Sequence, residues 1–383
     1  MKAFKFKIKR PSQAVVAKLD NTLDLTRELY NCALQERIGA YKERQISLNY
    51  YTQANQLAEI KESRIELNNV HSQILQDVLK RLEKTFKAFF GRVKRGEKAG
   101  FPRYKGKNWF NSFTFPQSGF RLDGNNLFLS KIGKVQIHLS QKMIGKVKTC
   151  TIKREVSGWF VIFTVETPNI LLEKTHKSIG IDAGIENFMT LSNGEQIENF
   201  KYYEQSQKEL RRKQRSVARK VKGSKSRKEA VRQLRKVHQK IKNQRNDFAH
   251  KVSTKLVQNF DLIAIEDLNI LGMSRGILSK QIHDVAWNSF FQKLEYKAEN
   301  AGRKLIKVNP NGTSQTCICG VKVKKTLAQR WHHCLECGYS NHRDIVSAKV
   351  ILNRAVGQTV EDVTYAVGQS VSLESPSIIG FAI

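Results

Sequence analysis

Residues 176–194 read HKSIGIDAGIENFMTLSNG, and the fold is decided here. HKSIGIDAG is a short apolar strand carrying a single acid, Asp182, directly after Gly180 and Ile181. NFMTLSNG is its hairpin partner, and EQIENF (195–200) is a third strand. A carboxylate inside an apolar strand is costly unless it is paired or bound to a metal. That cost directs attention to other acids in the same predicament.

Two more stand out further along the chain. Glu266 ends FDLIAIEDL (260–268), a strand whose other members Leu262, Ile263, Ala264 and Ile265 are apolar. Asp344 opens DIVSAKVILNRA (344–355), an amphipathic helix whose N-terminal end favours a negative charge. Between them lie a helix marked by Val285, Phe290, Leu294 and Ala298, then the strand KLIKVNP (304–310). Taken singly, Asp182 reads as well as a turn acid, Glu266 as a strand end and Asp344 as an N-cap. On a β-hairpin–helix–β–helix–β–helix order they read together as a carboxylate cluster. Oxygen ligands select Mg²⁺ or Mn²⁺, and two such ions about 3.5–4 Å apart suit in-line displacement at a phosphodiester. Asp267 is set aside because adjacent strand residues face opposite ways; Glu186, Asp261 and Asp284 are also left out.

The charge points to the same substrate class. Across 383 residues, 67 Lys and Arg face 34 Asp and Glu, a net charge of +33, and the pI is near 10.0. Such an excess of one sign repels itself unless a polyanion neutralises it. Nucleic acid fits, since affinity grows with each phosphate neutralised; a membrane surface fits poorly because no basic amphipathic anchor stands out. The densest run is Lys201–Arg245, with 18 Lys and Arg against three Glu. Leu210, Val217 and Val221 mark one helix there, and Val231, Leu234, Val237 or His238, and Ile241 a second. Gly223-Ser224 breaks them into an antiparallel hairpin. Arg211, Arg212, Arg215, Arg219, Arg232 and Arg235 are its candidate phosphate contacts.

Four of the six cysteines fall within 21 positions, as Cys317, Cys319, Cys334 and Cys337. The second pair is a C-x-x-C followed by Gly338; the first is a C-x-C followed by Gly320, one residue short of the usual knuckle. A structural Cys₄ Zn²⁺ site is expected, with His332 or His333 as substitutes if the tight loop cannot present both sulfurs. Disulfides are the alternative, and a reducing, intracellular setting argues against them. Cys32 and Cys150 sit in apolar contexts and read as core.

The N-terminal half has its own character. MKAFKFKIKR alternates Phe4, Phe6 and Ile8 against Lys5, Lys7 and Lys9, a half-buried strand rather than a signal peptide. No stretch reaches 18 apolar residues. Pro11 and Ser12 start a helix marked by Val15, Leu19, Leu23 and Leu29. Leu75, Val78, Leu79, Leu82, Phe86, Phe89, Phe90 and Val93 trace another, ending near Gly96 before Pro102. Residues 101–175 turn to strands such as Lys134–Leu139 and Trp159–Val165, separated by turns at Asp123–Asn126 and Ser157-Gly158. FPRYKGKNWF (101–110) interleaves aromatics with Arg103, Lys105 and Lys107. It suits base stacking with phosphate pairing, and equally a β-barrel edge.

The ordered set GFPRYKGK, GIDAGIENFMTLSNG, RNDFAHKVSTKLV, IAIEDLNI, NPNGTSQTC, the cysteine pairs and HRDIVSAKVILNRA resembles the TnpB family over nearly the whole chain. These are transposon-encoded, RNA-guided nucleases related to type V CRISPR effectors. The resemblance implies an α/β multidomain protein. A wedge-like β-barrel (1–10 and 97–175) would carry an inserted helical recognition lobe (11–96). A RuvC-like, RNase H-type nuclease domain (176–312 and 344–356) would enclose a zinc-binding module (313–343), with a disordered tail from 357 to 383. It implies a cytoplasmic, nucleoid-associated protein that binds a guide RNA from the transposon end. Its one site, Asp182, Glu266 and Asp344, would cut double-stranded DNA beside a short flanking motif. The shortened first knuckle departs from the family pattern and bears on the zinc geometry. Two other readings compete. A conventional transposase also uses three carboxylates, but usually in the order Asp, Asp, Glu. A cleavage-deficient RNA-guided DNA binder would be expected to have lost acids that this chain keeps.

Overall fold

The structure, a computed structural model, describes residues 1–107, 109–273, 284–326 and 328–357. Of the tail expected from 357 to 383, all but Gly357 lies outside them. The chain divides into two compact units, Met1–Pro168 and Asn169–Ile383.

The first unit begins with β1 (Lys2–Lys9), whose alternation does what it promises: Phe6 and Ile8 are buried while Lys5, Lys7 and Lys9 are exposed. Ser12 then caps α1 (Gln13–Arg44), accepting from the backbone N–H of Val15. Short helices α2 (Tyr50–Asn55) and α3 (Leu57–Ser63) and a 3₁₀ turn (Ile65–Asn69) lead to α4 (Ser72–Lys94). The stripe on α4 is buried at Ile74, Leu75, Val78, Leu79 and Leu82. Beyond that point it surfaces, and Phe90 and Val93 are exposed.

Six further strands follow: β2 (Ser112–Phe115), β3 (Phe120–Asp123), β4 (Asn126–Leu129), β5 (Gly133–His138), β6 (Lys146–Glu155) and β7 (Gly158–Glu166). They form one antiparallel sheet with β1, in the order β2-β6-β7-β1-β5-β4-β3. The two end strands are neighbours in sequence. Five residues span at most ~18 Å, while seven strands laid flat would span ~29 Å at the usual inter-strand spacing. The sheet therefore curls until its ends approach, and the Phe115 and Phe120 rings meet edge to face at 6.4 Å.

The second unit holds a five-stranded sheet made of β8 (Ser178–Asp182), β9 (Asn187–Leu191), β10 (Gln196–Glu198), β11 (Leu262–Glu266) and β12 (Lys304–Val308). The order is β10-β9-β8-β11-β12; β8 and β9 are antiparallel, and β8, β11 and β12 run parallel. Between β10 and β11 come α5 (Tyr202–Gln205), α6 (Gln207–Ala218) and α7 (Lys225–Asn259). After β11 come α8 (Ile270–Met273) and α9 (Trp287–Ala301). A two-stranded piece, β13 (Trp331–His333) and β14 (Ser340–His342), precedes α10 (Arg343–Val356).

Parallel strands are covered on both faces, and the alternation of side chains decides what covers each. Ile179, Ile181, Ile263 and Ile265 pack against Phe188, α7 and α9, with Trp287, Phe290 and Leu294 fully buried. On the opposite face Ala264, Ile306 and Val308 pack under Ile351, Leu352 and Ala355 of α10. Asp182 and Glu266 belong to this second face, two residues along from Gly180 and Ala264.

The basic hairpin forms as α6 and α7. Gly223 takes the left-handed conformation (φ 93°), and Ser224 caps α7 through the N–H of Arg227. Leu210, Val237 and Ile241 make its small core with Tyr202, Tyr203 and Leu234. Val221 corrects the expectation for the first helix: it lies in the turn, exposed, because α6 already ends at Ala218. Among the described residues no helix is long and apolar enough to cross a membrane.

Candidate active site and metal centre

Three backbone features bring the carboxylates into one neighbourhood. The first is register: β8 and β11 pair as Ser178↔Leu262 through Ile181↔Ile265. One further step along the same parallel register sets Asp182 beside Glu266, both on the face under α10.

The second is Gly180. A Cβ there would lie 2.0 Å from the carbonyl oxygen of Ala348 and 2.9 Å from the side chain of Leu352. Only glycine lets α10 lie this close to β8. The third is the direction of α10. Along the strand, Gly180 to Asp182 is ~6.6 Å; along the helix, Ala348 back to Asp344 is one turn, ~6 Å. The helix passes its contact point with Gly180 and delivers its first-turn acid toward Asp182.

The electrostatics record the meeting. Burial, and after it the charges of Glu266 and Asp344, push the Asp182 carboxyl up to about 8, with Arg343 opposing. Burial also raises Glu266, opposed by a hydrogen bond from Thr313 and the charge of Arg354. Basic side chains gather at Asp344: Arg343 Nε at 3.8 Å, His342 Nδ1 at 3.9 Å and Arg330 at 4.0 Å. Arg330 also pairs with Glu186 at 2.8 Å. Among the described residues, however, the group drawn to mutual ligand spacing is the cysteines, not the carboxylates.

The other acids have structural work. Asp261 accepts the N–H groups of Thr175 and His176 and the Thr175 hydroxyl, and pairs with the buried Arg303. Asp284 accepts the N–H of Tyr203 and pairs with Arg245. Asp267 is exposed.

All four expected cysteines converge, with Sγ atoms within 4.8 Å of one another. Cys317–Cys337 and Cys319–Cys334 are each 3.6 Å apart. Four sulfurs tetrahedrally placed at ~2.3 Å from a zinc ion would be ~3.8 Å from each other. The donor set fits zinc, and the tight C-x-C loop presents both sulfurs. Backbone N–H groups of Cys337 and Glu336 lower the Cys334 thiol to about 7, toward the thiolate a metal needs, while burial raises the Cys317 and Cys319 thiols. His332 is buried and bonded through Nδ1 to Lys325 (2.7 Å), outside the quartet. The module shares a core with α10 through Val346 and Val350. Cys150 is buried as expected, but Cys32 is exposed, since its position on α1 lies off the packed stripe.

Among the candidate nucleic-acid contacts, Arg211, Arg212, Arg215, Arg219, Arg232 and Arg235 are exposed on the hairpin, with Arg232 paired to Glu229 at 2.6 Å. Arg103 and Lys107 are exposed, and Lys107 pairs with Asp24 at 3.0 Å. Lys105 is half-buried, its backbone held to Asn31 by bonds of 2.7 and 3.0 Å. The described residues of 101–110 are thus a loop stapled to α1, not a strand edge, and they leave Phe101, Tyr104 and Trp109 exposed.

The comparisons bear on the whole chain. A protein of Streptomyces pristinaespiralis named "Putative RNA-guided DNA endonuclease" is 34% identical over 92% of this chain and 88% of its own length. One of Escherichia coli K12 with the same description is 31% identical over 94% and 93%. This chain belongs to the TnpB family. Two models match within it: OrfB_IS605, described as "Probable transposase", over residues 162–276, and the Cas12f1-like TNB domain over 287–351. The fold also matches a solved Cas12f1–sgRNA–target DNA complex, with a TM-score of 0.59, 13% identity, and coverage of 88% of this chain and 82% of that one.

Sequence reading missed Gly180, Thr313, Arg330 and Arg354. Gly180 gave one faint signal, a glycine two residues before an in-strand acid. Thr313 lies in NPNGT, where a hydroxyl reads as ordinary turn chemistry.

Proposed function

We propose that this chain is an RNA-guided DNA endonuclease encoded by a transposon, with one hydrolytic centre at Asp182, Glu266 and Asp344. The observation that carries this reading is the parallel register of β8 and β11, which ends at Ile181↔Ile265 and leaves Asp182 and Glu266 next in line, close enough for Glu266 and Asp344 to raise the Asp182 carboxyl, in a chain whose near-full-length relatives bear the endonuclease name. On this reading residues 176–312 and 344–356 form a RuvC-like domain. The curled sheet of the first unit is the wedge barrel, and α1–α4 are the recognition lobe.

Each part of the chain then has a task. Asp182, Glu266 and Asp344 supply oxygen ligands for Mg²⁺ or Mn²⁺, which when bound would activate water and stabilise the leaving oxygen. The exposed arginines of α6 and α7 bind phosphates and fix the register of the nucleic acid without reading it. Sequence choice passes to base pairing with the guide, apart from a short flanking motif. The cysteine quartet, filled by zinc, has no open position for chemistry. It fixes residues 313–342 against α10.

The test is purification from cells carrying the flanking transposon DNA, with the bound RNA sequenced. Cleavage is then assayed with Mg²⁺ on duplexes matching that RNA beside a randomised flank. Guided cutting that disappears in Asp182→Ala, with RNA and DNA binding retained, is the expected result. Cutting at the wild-type rate in Asp182→Ala would overturn the site; absence of bound RNA would favour a conventional transposase.

A further inference from the structure

Glu266 is held from the side by a residue that no ligand set includes. The Thr313 hydroxyl donates to Oε1 of Glu266 at 2.5 Å. Thr313 is itself buried, 4% exposed, and the other acceptor within reach of its one hydroxyl proton, the Pro310 carbonyl oxygen, is further away at 3.1 Å. Among the described residues no other hydrogen bond reaches the Glu266 carboxylate, whose second oxygen is thus left for a cation.

Thr313 does not wander. It opens a 3₁₀ turn (Thr313–Gln315) just after Gly312, which adopts φ 75°. The loop before it is pinned from α10: Arg354 donates from one nitrogen to the carbonyl oxygens of Asn309 (2.7 Å) and Asn311 (2.9 Å). The Thr316 hydroxyl closes the turn onto the Gly312 carbonyl at 2.7 Å. The helix that carries Asp344 in its first turn thus clamps, from its last turn, the loop that orients Glu266.

We propose that Thr313 is a positioning residue for Glu266, held in place by Arg354, and that it presets the carboxylate for a divalent cation. The proposal rests on the carboxylate centre argued above. Its physical basis is general: a ligating carboxylate fixed by an outer hydrogen bond is already ordered before the ion arrives. Without the hydroxyl, Glu266 must be ordered at the moment of binding, and the cation binds more weakly.

The test compares Thr313→Val, which keeps the shape and removes the donor, with Thr313→Ser, which keeps the donor. Mn²⁺ binding to the RNA-loaded protein is measured by calorimetry, alongside guided cleavage, zinc content and melting temperature. Losing an outer partner of this kind costs about 10–100-fold. Thr313→Val should weaken Mn²⁺ binding and slow cleavage by that factor, while Thr313→Ser stays within a few-fold of wild type. RNA and DNA binding should be unchanged in both. Wild-type Mn²⁺ affinity in Thr313→Val would overturn the positioning role and leave the centre standing. Mn²⁺ binding that survives Asp182→Ala undiminished would overturn the centre and this proposal together. If Thr313→Val lowers the zinc content or the melting temperature, Thr313→Ala carries the same comparison with a smaller side chain.

Discussion

The second unit contains two gatherings of ligand-type side chains, and they are held in opposite ways. The cysteines meet at ligand spacing on a stretch of turns and two three-residue strands. The carboxylates sit at the ends of long-range elements, two parallel strands and a helix, and stand further apart. Neutral thiols lose little by touching, so short loops suffice to collect them. Carboxylates repel, so they must be fixed by backbone that has other reasons to be where it is. In the first case the ligands organise the fold; in the second the fold organises the ligands.

The harshest way to break this contrast is to attack the carboxylate centre without touching a carboxylate. Gly180→Ala places a methyl where the Ala348 carbonyl already lies. It should cost about 3 kcal/mol or more and abolish cleavage as α10 is lifted; urea unfolding and the cleavage assay read both. A Gly180→Ala protein as stable as wild type would refute the close-approach argument. The matching attack on the other centre is Cys334→Ser. It should release zinc by elemental analysis and open residues 313–342 to proteolysis, while β8, β11 and β12 stay paired.

A gentler test uses protons. The folded protein holds the Asp182 proton more tightly than the unfolded chain does, about 8 against 3.8. This contribution to stability is therefore fully present below pH 3.8 and lost as pH rises toward 8. Without added metal, Asp182→Asn should melt above wild type at pH 8, and the gap should close toward pH 5. A gap independent of pH would place the repulsion elsewhere. The smallest effect belongs to the hairpin. Arg212→Ala and Arg215→Ala should each reduce the slope of log affinity against log salt by about 0.7–0.9 if each meets one phosphate.

What the sequence disclosed follows from the range of the forces involved. Alternation is local, so β1, β8 and β11 could be read directly, and with them the two in-strand acids. The cysteine pairs are local as well. Closeness of helix to sheet is not local: Gly180 matters because of Ala348, which lies in α10, and its own surroundings offer only the faint signal of a glycine two residues before an in-strand acid. Thr313 is hidden for the same reason, since its partner Glu266 lies on another strand. Cys32 misled because apolar neighbours in sequence do not fix which side of a long helix faces inward. The loop 101–110 misled because its order comes from Asn31 on α1 rather than from its own pattern.

The position of β1 also has a consequence for how the first unit is made. It sits in the middle of the sheet, between β7 and β5, with Lys2 opposite Val165. The roughly 160 residues separating these partners take about 10–30 s to synthesise at ordinary rates of translation. Until β5 follows, roughly 130 residues on, β1 has both of its edges bare, the condition in which strands recruit other chains. Lys5, Lys7 and Lys9, exposed in the finished sheet, put a charge at every second position of that waiting strand. Lysines so placed are the kind of charge that blunts a bare strand edge against other chains.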